Sequence, residues 1–349
     1  MDGAMLKRLA LLFFVVLLLA AGAAVWFGQQ MLQRTLNAPL PVGEAQELSI
    51  EQGTWFRKFA LQLEQQGLIQ SHLWLRLEAQ LNPAVTAIKA GDYLIEPGMT
   101  LQQLLDKVVK GDTISYTFTL VEGTTYQQLR QMLLNNEQLK HELDRMSEAE
   151  LLAYLGSEAD AVEGLFLAET YQFKRGMSDL QLLKRAHDDL QRELERAWAE
   201  RAKDLPYASP YEALIMASII EKETGVPAER GEIAGVFVRR LEKGMRLQTD
   251  PTVIYGMGER YQGNITRADL RRPTPWNTYV IDGLPPTPIA LVGREAIEAA
   301  LNPAAGKALY FVAKGDGSHQ FSNTLQEHNR AVRRYQLQRR ADYRSSPEN

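Results

Sequence analysis

The stretch "ASIIEKETG", Ala217 to Gly225, sets two carboxylic acids, Glu221 and Glu223, directly behind the uncharged apolar run Leu214–Ile220. A carboxyl at the edge of a buried helix can hold its proton at neutral pH, give it to a leaving group and take one back, which is acid/base chemistry. Residues three, four and seven apart share a helix face, so Glu221 falls with Ser218, Ala217 and Leu214, and Glu223 with Ile220, Ile219 and Met216. Two positions correspond to about 200° of rotation, so the two carboxyls cannot work as a close pair. The small Ala217/Ser218 face would let another body approach closely, as a cleft requires, and the dipole at the helix C-terminus would disfavour charge there. Glu221 is therefore the expected acid. Glu223, beneath the bulky isoleucines, is expected to serve packing or a salt bridge. The competing reading of Glu221 is an ordinary helix-end carboxylate paired with a nearby Lys or Arg.

Three further segments carry polar groups that could surround such an acid. In "GMRLQTDPTVIYGMG", Gly244–Gly258, the residues Gln248, Thr249, Asp250 and Thr252 cluster around Pro251, suited to a hydroxyl-rich ligand or to a plain Asp-Pro turn. "RRPTPWNTYVIDGLPPTPIA", Arg271–Ala290, holds five prolines with Trp276, Asn277 and Tyr279, which excludes a regular helix and predicts a rigid extended loop. Aromatic rings with amides suit sugars. "GDGSHQFSNTLQEHN", Gly315–Asn329, adds His319, Phe321, Ser322, Asn323 and His328. Five histidines in all, no cysteine and no His-Glu-x-x-His pattern argue against a metal, and no Gly-x-Ser-x-Gly elbow marks a serine nucleophile. No cofactor is expected.

The elements that must position these groups are legible in outline. The chain has 349 residues, 39 basic against 43 acidic, net -4, with room for two soluble domains and no basic stripe for nucleic acid. Zero cysteine excludes disulfides and thiolate chemistry. Leu9–Phe27 is an uncharged apolar run of 19 residues; a bilayer core takes about 20 helical residues, whereas a signal-peptide core is usually about 7 to 15. Lys7 and Arg8 precede it and Arg34 is the first basic residue after it, so the short tail should stay in the cytoplasm and the bulk face outward. "LNAPLPVGEAQ", Leu36–Gln46, reads as an extended linker.

An internal echo follows, with "LSIEQGTWFRKFALQL" from Leu48 and "FTLVEGTTYQQLRQML" from Phe118, and a related plan from Tyr93. Each is a β-prone run, a turn glycine and a Thr that can cap a helix, with Thr100/Gln103 and Thr124/Gln127 fitting a capping box. Helices are predicted from Ser147, from Ser178 towards Arg201 with a stripe of Leu180, Leu183, Ala186, Leu190 and Leu194, and from Ser209/Pro210 to Gly225.

The segments "MASIIEKETG", "RLEKGMRLQTDPTVIYGMGERY", "PWNTYVIDGLPPTPIA" and "LYFVAKGDGSHQFSNTLQEHN", behind an N-terminal anchor, resemble the endolytic murein transglycosylases of the YceG-like family. "VEGLFLAETYQF" fits as well, with Ala168 where proline is commoner. The resemblance implies an α+β chain: cytoplasmic tail 1–8, transmembrane helix 9–27, linker 28–46, LysM-like subdomain 47–115, catalytic domain 116–340 and tail 341–349. It implies an inner-membrane enzyme that cuts peptidoglycan strands internally to leave 1,6-anhydro-N-acetylmuramic acid ends, ending strand elongation. Glu221 would be the single acid/base, since intramolecular attack by the C6 hydroxyl needs one carboxyl where hydrolysis normally needs two. Ser218, Gln248, Asp250, Thr252, Asn277, Tyr279, His319, Phe321 and Asn323 would contact the sugar. Glycan strands are the implied partner, with peptidoglycan synthases and elongation or division proteins. Two alternatives stay open: a hydrolase pairing Glu221 with Asp250, and a non-enzymatic glycan-binding scaffold.

Overall fold

A computed structural model describes residues 3–337. The chain divides into two compact units, Met1–Tyr116 with Lys174–Gly176, and Thr117–Phe173 with Met177–Asn349. Both combine helices with short strands, the α+β class expected. Residues 341–349 of the expected tail lie outside the described residues.

The first unit opens with α1, Gly3–Asn37. Its apolar part lacks any protein cover: Phe13 and Leu19 are each 69% exposed, as a bilayer-facing helix demands. The helix does not stop where the apolar run does. Leu32 and Leu36, one turn apart, are each 2% exposed and join Leu40 in the unit's core. The expectation of an extended linker over 28–46 is corrected: the helix runs ten residues past Phe27 because that leucine pair forms an apolar stripe with a partner to bury it. Strand β1 (Gln46–Ile50) is followed by helices α2 (Phe56–Gln65) and α3 (Leu73–Leu81). It pairs antiparallel with β2 (Gly91–Ile95), Leu48 opposite Tyr93. Helix α4 (Leu101–Lys110) starts on the Thr100/Gln103 capping box that the sequence predicts. The excursion Lys174–Gly176 brings Arg175 onto the buried Asp92.

The second unit holds the polar segments of interest. Strand β3 (Tyr116–Thr119) pairs with β4 (Thr170–Phe173), and α5 (Tyr126–Leu134) and α6 (Glu148–Leu155) lie between them in sequence. The cap of α5 is Thr125 with Gln128, one residue beyond the predicted pair. Thr124 is spent on the preceding turn, its backbone N–H and hydroxyl both bonding the Val121 carbonyl. Helix α7 (Asp179–Ala199) is capped by Ser178 and buries Leu180, Leu183, Ala186, Leu190 and Leu194 as its periodicity requires.

Helix α8 (Pro210–Glu223) is the centre of this unit. Ser209 caps it, Pro210 fills its first turn, and Ala213 to Ile220 are all buried. It ends at an extended Thr224, one residue before the glycine expected to stop it. Around it pack α7, α9 (Pro227–Glu242), α10 (Asp250–Met257) and α11 (Arg294–Leu301). A hairpin of β5 (Tyr310–Ala313) and β6 (His319–Ser322), registered Ala313 to His319, leads into α12 (Leu325–Val332). Its turn passes through left-handed Gly315 and Gly317.

Candidate active site

Helix geometry does set the two glutamates on different faces, and each face meets a different environment. Glu221 is held by one cation and one backbone amide. Its side chain is 4% exposed, one carboxylate oxygen lies 3.1 Å from Arg230 Nη2, and the other accepts the Gly293 N–H at 3.0 Å. Arg230, from α9, also contacts Glu295 and, at 3.5 Å, Glu122. Burial pushes the Glu221 carboxyl above its usual range, while the Gly293 amide and Arg230 pull against it. Its oxygens are committed to the fold.

Glu223 borders a cavity of about 710 Å³ together with Thr249, Asp250, Tyr279, Arg240 and His319, and Glu221 reaches the same lining. The hydroxyl of Thr249 donates to its Oε1, and among the described residues no Lys, Arg or His stands within ion-pair distance. Burial drives its carboxyl up to about 7, with the nearby Asp250 charge adding to the rise and Thr249 and Arg240 opposing it. A carboxyl half protonated near neutral pH can serve as acid and then as base. The two carboxyls thus share a cavity and differ in their partners: Glu221 has the salt bridge, and Glu223 has a hydroxyl and, among the described residues, no cation within ion-pair distance.

The elements explain why. Helix α8 breaks just after Glu223, where Thr224 turns extended, so that carboxyl faces the segment before α10. Thr249 is the N-cap residue of α10 but makes no side-chain cap, leaving its hydroxyl for Glu223. Gln248 holds a left-handed conformation at φ 50°, with its N–H on the Thr278 carbonyl. Asp250 accepts the Tyr279 hydroxyl at 2.7 Å. Burial and the adjacent Asp250 keep that phenol protonated.

The opposite wall comes from α9 and the β5–β6 hairpin. Arg240 donates to the Leu247 and Leu309 carbonyls, each at 2.7 Å, and lies 5.2 Å over the Tyr310 ring. Tyr310 in turn stacks on His328 with centroids 5.2 Å apart. Burial, reinforced by Arg240, lowers the His328 pKa, so this ring is neutral.

Of the residues expected to contact sugar, Gln248, Asp250, Tyr279 and His319 border the cavity. Ser218, Thr252, Asn277, Phe321 and Asn323 do not. Ser218 is fully buried, donating to the Ile215 carbonyl and accepting the Ile289 N–H at 3.0 Å. The small face beside it thus admits a neighbouring backbone, which is the physical reason the cleft expected there is filled. Thr252 is fully buried against Thr249 and Thr278. Asn277 fastens its own loop, donating to the Asp269, Leu270 and Arg272 carbonyls. Phe321 packs on Phe311, and the backbone of Asn323 is held by Glu327 at the start of α12.

Sequence reading gave Glu223 only a packing or salt-bridge role, named Thr249 and His328 without their contacts, and missed Arg240 and Tyr310. The one signal available was the presence of two polar features, the Glu pair behind an apolar run and the Gln-Thr-Asp cluster. A raised pKa alone would not have selected the site: burial also pushes Glu163 to about 7, yet it accepts the Tyr126 N–H at 2.9 Å and does not border the cavity.

Known proteins share this arrangement of sequence. A relative from Bacillus subtilis, named an endolytic murein transglycosylase, is 32% identical over 268 residues, covering 72% of this chain and 74% of that protein. Relatives of the same name from Streptococcus pneumoniae are 27% identical over 91% of this chain, which spans 64% of their length. A crystal structure of a YceG-like protein from Listeria monocytogenes is 29% identical, covers 82% of this chain and 99% of that one, and superposes with a TM-score of 0.50. The YceG-like family profile matches residues 48–334, most of the chain and every residue of the cavity wall named above, and the chain belongs to that family.

Proposed function

We propose that this chain is a membrane-anchored endolytic lytic transglycosylase of peptidoglycan with Glu223, rather than Glu221, as its acid and base. The observation that carries the assignment is a carboxyl in a large polar cavity with its pKa driven to about 7 and, among the described residues, no cation paired to it. The names of the relatives supply the substrate, murein, and the bond to be cut in this reading joins N-acetylmuramic acid to N-acetylglucosamine.

In the first step the Glu223 carboxylic acid gives its proton to the glycosidic oxygen as the muramyl C1–O bond breaks. In the second, the resulting carboxylate takes the proton of the muramyl C6 hydroxyl as that oxygen bonds C1. The 1,6-anhydro end forms, water is not consumed, and Glu223 regains its proton. One carboxyl suffices because the nucleophile is part of the substrate. Asp250, Tyr279 and Gln248 line the space in which the sugar and its developing positive charge would lie.

Helix α1 is the anchor of this reading, with Lys7 and Arg8 retained in the cytoplasm and the two units in the periplasm against the inner membrane. The first unit, read as LysM-like, would hold glycan. Synthases and elongation or division proteins would be neighbours on the same strand.

Because Asp250 stands beside Glu223 in the same cavity, a two-carboxylate hydrolase is the second reading, now with Glu223 in place of Glu221. The full chain in detergent micelles, given uncrosslinked glycan strands, should release anhydro-ended fragments by mass spectrometry, and Glu223→Gln should abolish them. Reducing ends would favour the hydrolase. Tight binding without cleavage would favour the scaffold.

A further inference from the structure

Glu229 lies in the first turn of α9 and makes none of the contacts used above. Its carboxylate seats one residue twice: Oε1 accepts the backbone N–H of His319 at 2.9 Å, and Oε2 lies 2.7 Å from His319 Nδ1. Both side chains are shielded, 15% exposed for Glu229 and 7% for His319. The Phe311 ring closes edge-on against the imidazole at 5.5 Å. Among the described residues, His319 is the side chain to which this carboxylate is paired.

A carboxylate can only accept, so the bonded Nδ1 must carry the hydrogen. In the neutral ring that leaves Nε2 with a free lone pair. Among the described residues, no protein group bonds Nε2, and His319 borders the same cavity as Glu223. An acceptor held rigidly at a cavity wall awaits a donor from what fills the cavity.

We propose that Glu229 and His319 form a second functional pair. Glu229 is a positioning residue that fixes the imidazole through Nδ1, and His319 Nε2 accepts a hydrogen bond from a hydroxyl or acetamido N–H of the bound glycan. This rests on the glycan-cleaving reading of the cavity. It assigns His319 to holding the sugar while Glu223 moves the protons, and it gives Glu229 no contact with substrate.

The test is a double-mutant cycle on the full chain in detergent micelles with native glycan strands. His319→Ala should raise KM by roughly 10-fold with kcat little changed, the signature of a lost binding contact. Glu229→Ala should move KM the same way by about 3- to 5-fold, and the double variant should be no worse than His319→Ala, because a residue acting through another adds nothing once that other is gone. His319→Gln, whose amide oxygen reaches the Nε2 position, should recover part of the loss. An unchanged KM in His319→Ala, or a double variant equal to the product of the singles, overturns the proposal.

Nitrogen-15 histidine spectra supply a readout independent of turnover and of how well the alanine variants fold. The wild-type His319 resonances should report a protonated Nδ1 and a bare Nε2; the reverse tautomer overturns the assignment. Strands N-deacetylated at glucosamine separate the two donors. Their KM ratio to native strands should collapse in His319→Ala if the donor is the acetamido N–H, and stay fixed if it is a hydroxyl. If wild-type chain gives no anhydro ends, the transglycosylase reading fails on its own, and the pair is then judged by glycan binding in the same cycle.

Discussion

Two faces of one helix end, separated by a single lysine, treat the same side chain in opposite ways. On the Glu221 face the carboxylate meets Arg230 and the Gly293 amide, and both of its oxygens are occupied. On the Glu223 face it meets a hydroxyl and a second acid, and both carboxyls reach the same cavity. Both carboxyls are shielded and burial raises both pKa values, so desolvation does not distinguish them. Charge compensation does. A buried carboxylate with an arginine is a structural tie, and one without a cation keeps a proton it can use.

The largest effect that would sharpen this contrast is the loss of Glu223 as a proton carrier. Glu223→Gln should lower kcat/KM for anhydro-end formation by roughly 10³-fold or more, as general acid/base roles do, with the fold retained by circular dichroism. A sign-specific stability effect accompanies it. The folded pKa of about 7 lies above the unfolded carboxyl value, so wild-type stability from this site is complete at pH 4 and lost as pH rises through 7. The Gln variant should therefore melt higher than wild type at pH 8 and no higher at pH 4. Equal melting curves at pH 8 would show that Glu223 carries no such penalty.

Next in size is the structural tie. Arg230→Met leaves the Glu221 carboxylate buried without its cation and should cost about 3–5 kcal/mol of stability, read by thermal unfolding. Turnover per folded molecule should persist. A variant that stays fully stable but loses catalysis would reverse the roles given to the two faces.

Thr249→Val removes the hydroxyl that stabilises charged Glu223. A hydrogen bond to a charged group is worth about 1.5 kcal/mol, so the alkaline limb of the pH–rate profile, which falls as pH rises through about 7 in wild type, should move up by about one unit. A downward shift would mean the bond stabilises the protonated form. The smallest effect belongs to Glu221→Gln, which can still accept the Gly293 N–H; stability should drop by ~1–2 kcal/mol and kcat/KM change by less than about 3-fold. A loss of activity as large as that of Glu223→Gln would return the acid/base role to Glu221.

Much of the scaffold was legible. The Ser209 cap, Pro210 and the apolar run predict α8, and the stripe from Leu180 to Leu194 predicts the buried face of α7, because capping and periodicity are local. The Gln248–Asp250 cluster, read as a ligand wall, borders the cavity. The partners of the two glutamates were not legible because they are distant in the chain: Gly293 lies 72 residues from Glu221, and Thr249 lies 26 from Glu223. Small residues beside Ser218 gave a true signal of close approach, but what approaches is the backbone at Ile289. The linker was misread because Leu32 and Leu36 are ordinary leucines until a core is there to receive them.

By itself the sequence determined an apolar anchor, the helices that frame the site, a pair of carboxyls that must face apart, and membership of a family through long ordered motifs. Only the tertiary structure decided which partners each carboxyl meets, because pKa and availability are set by what packs against a group. Here an arginine is paired with one carboxyl, and a hydroxyl beside a second acid leaves the other with no cation within ion-pair distance among the described residues.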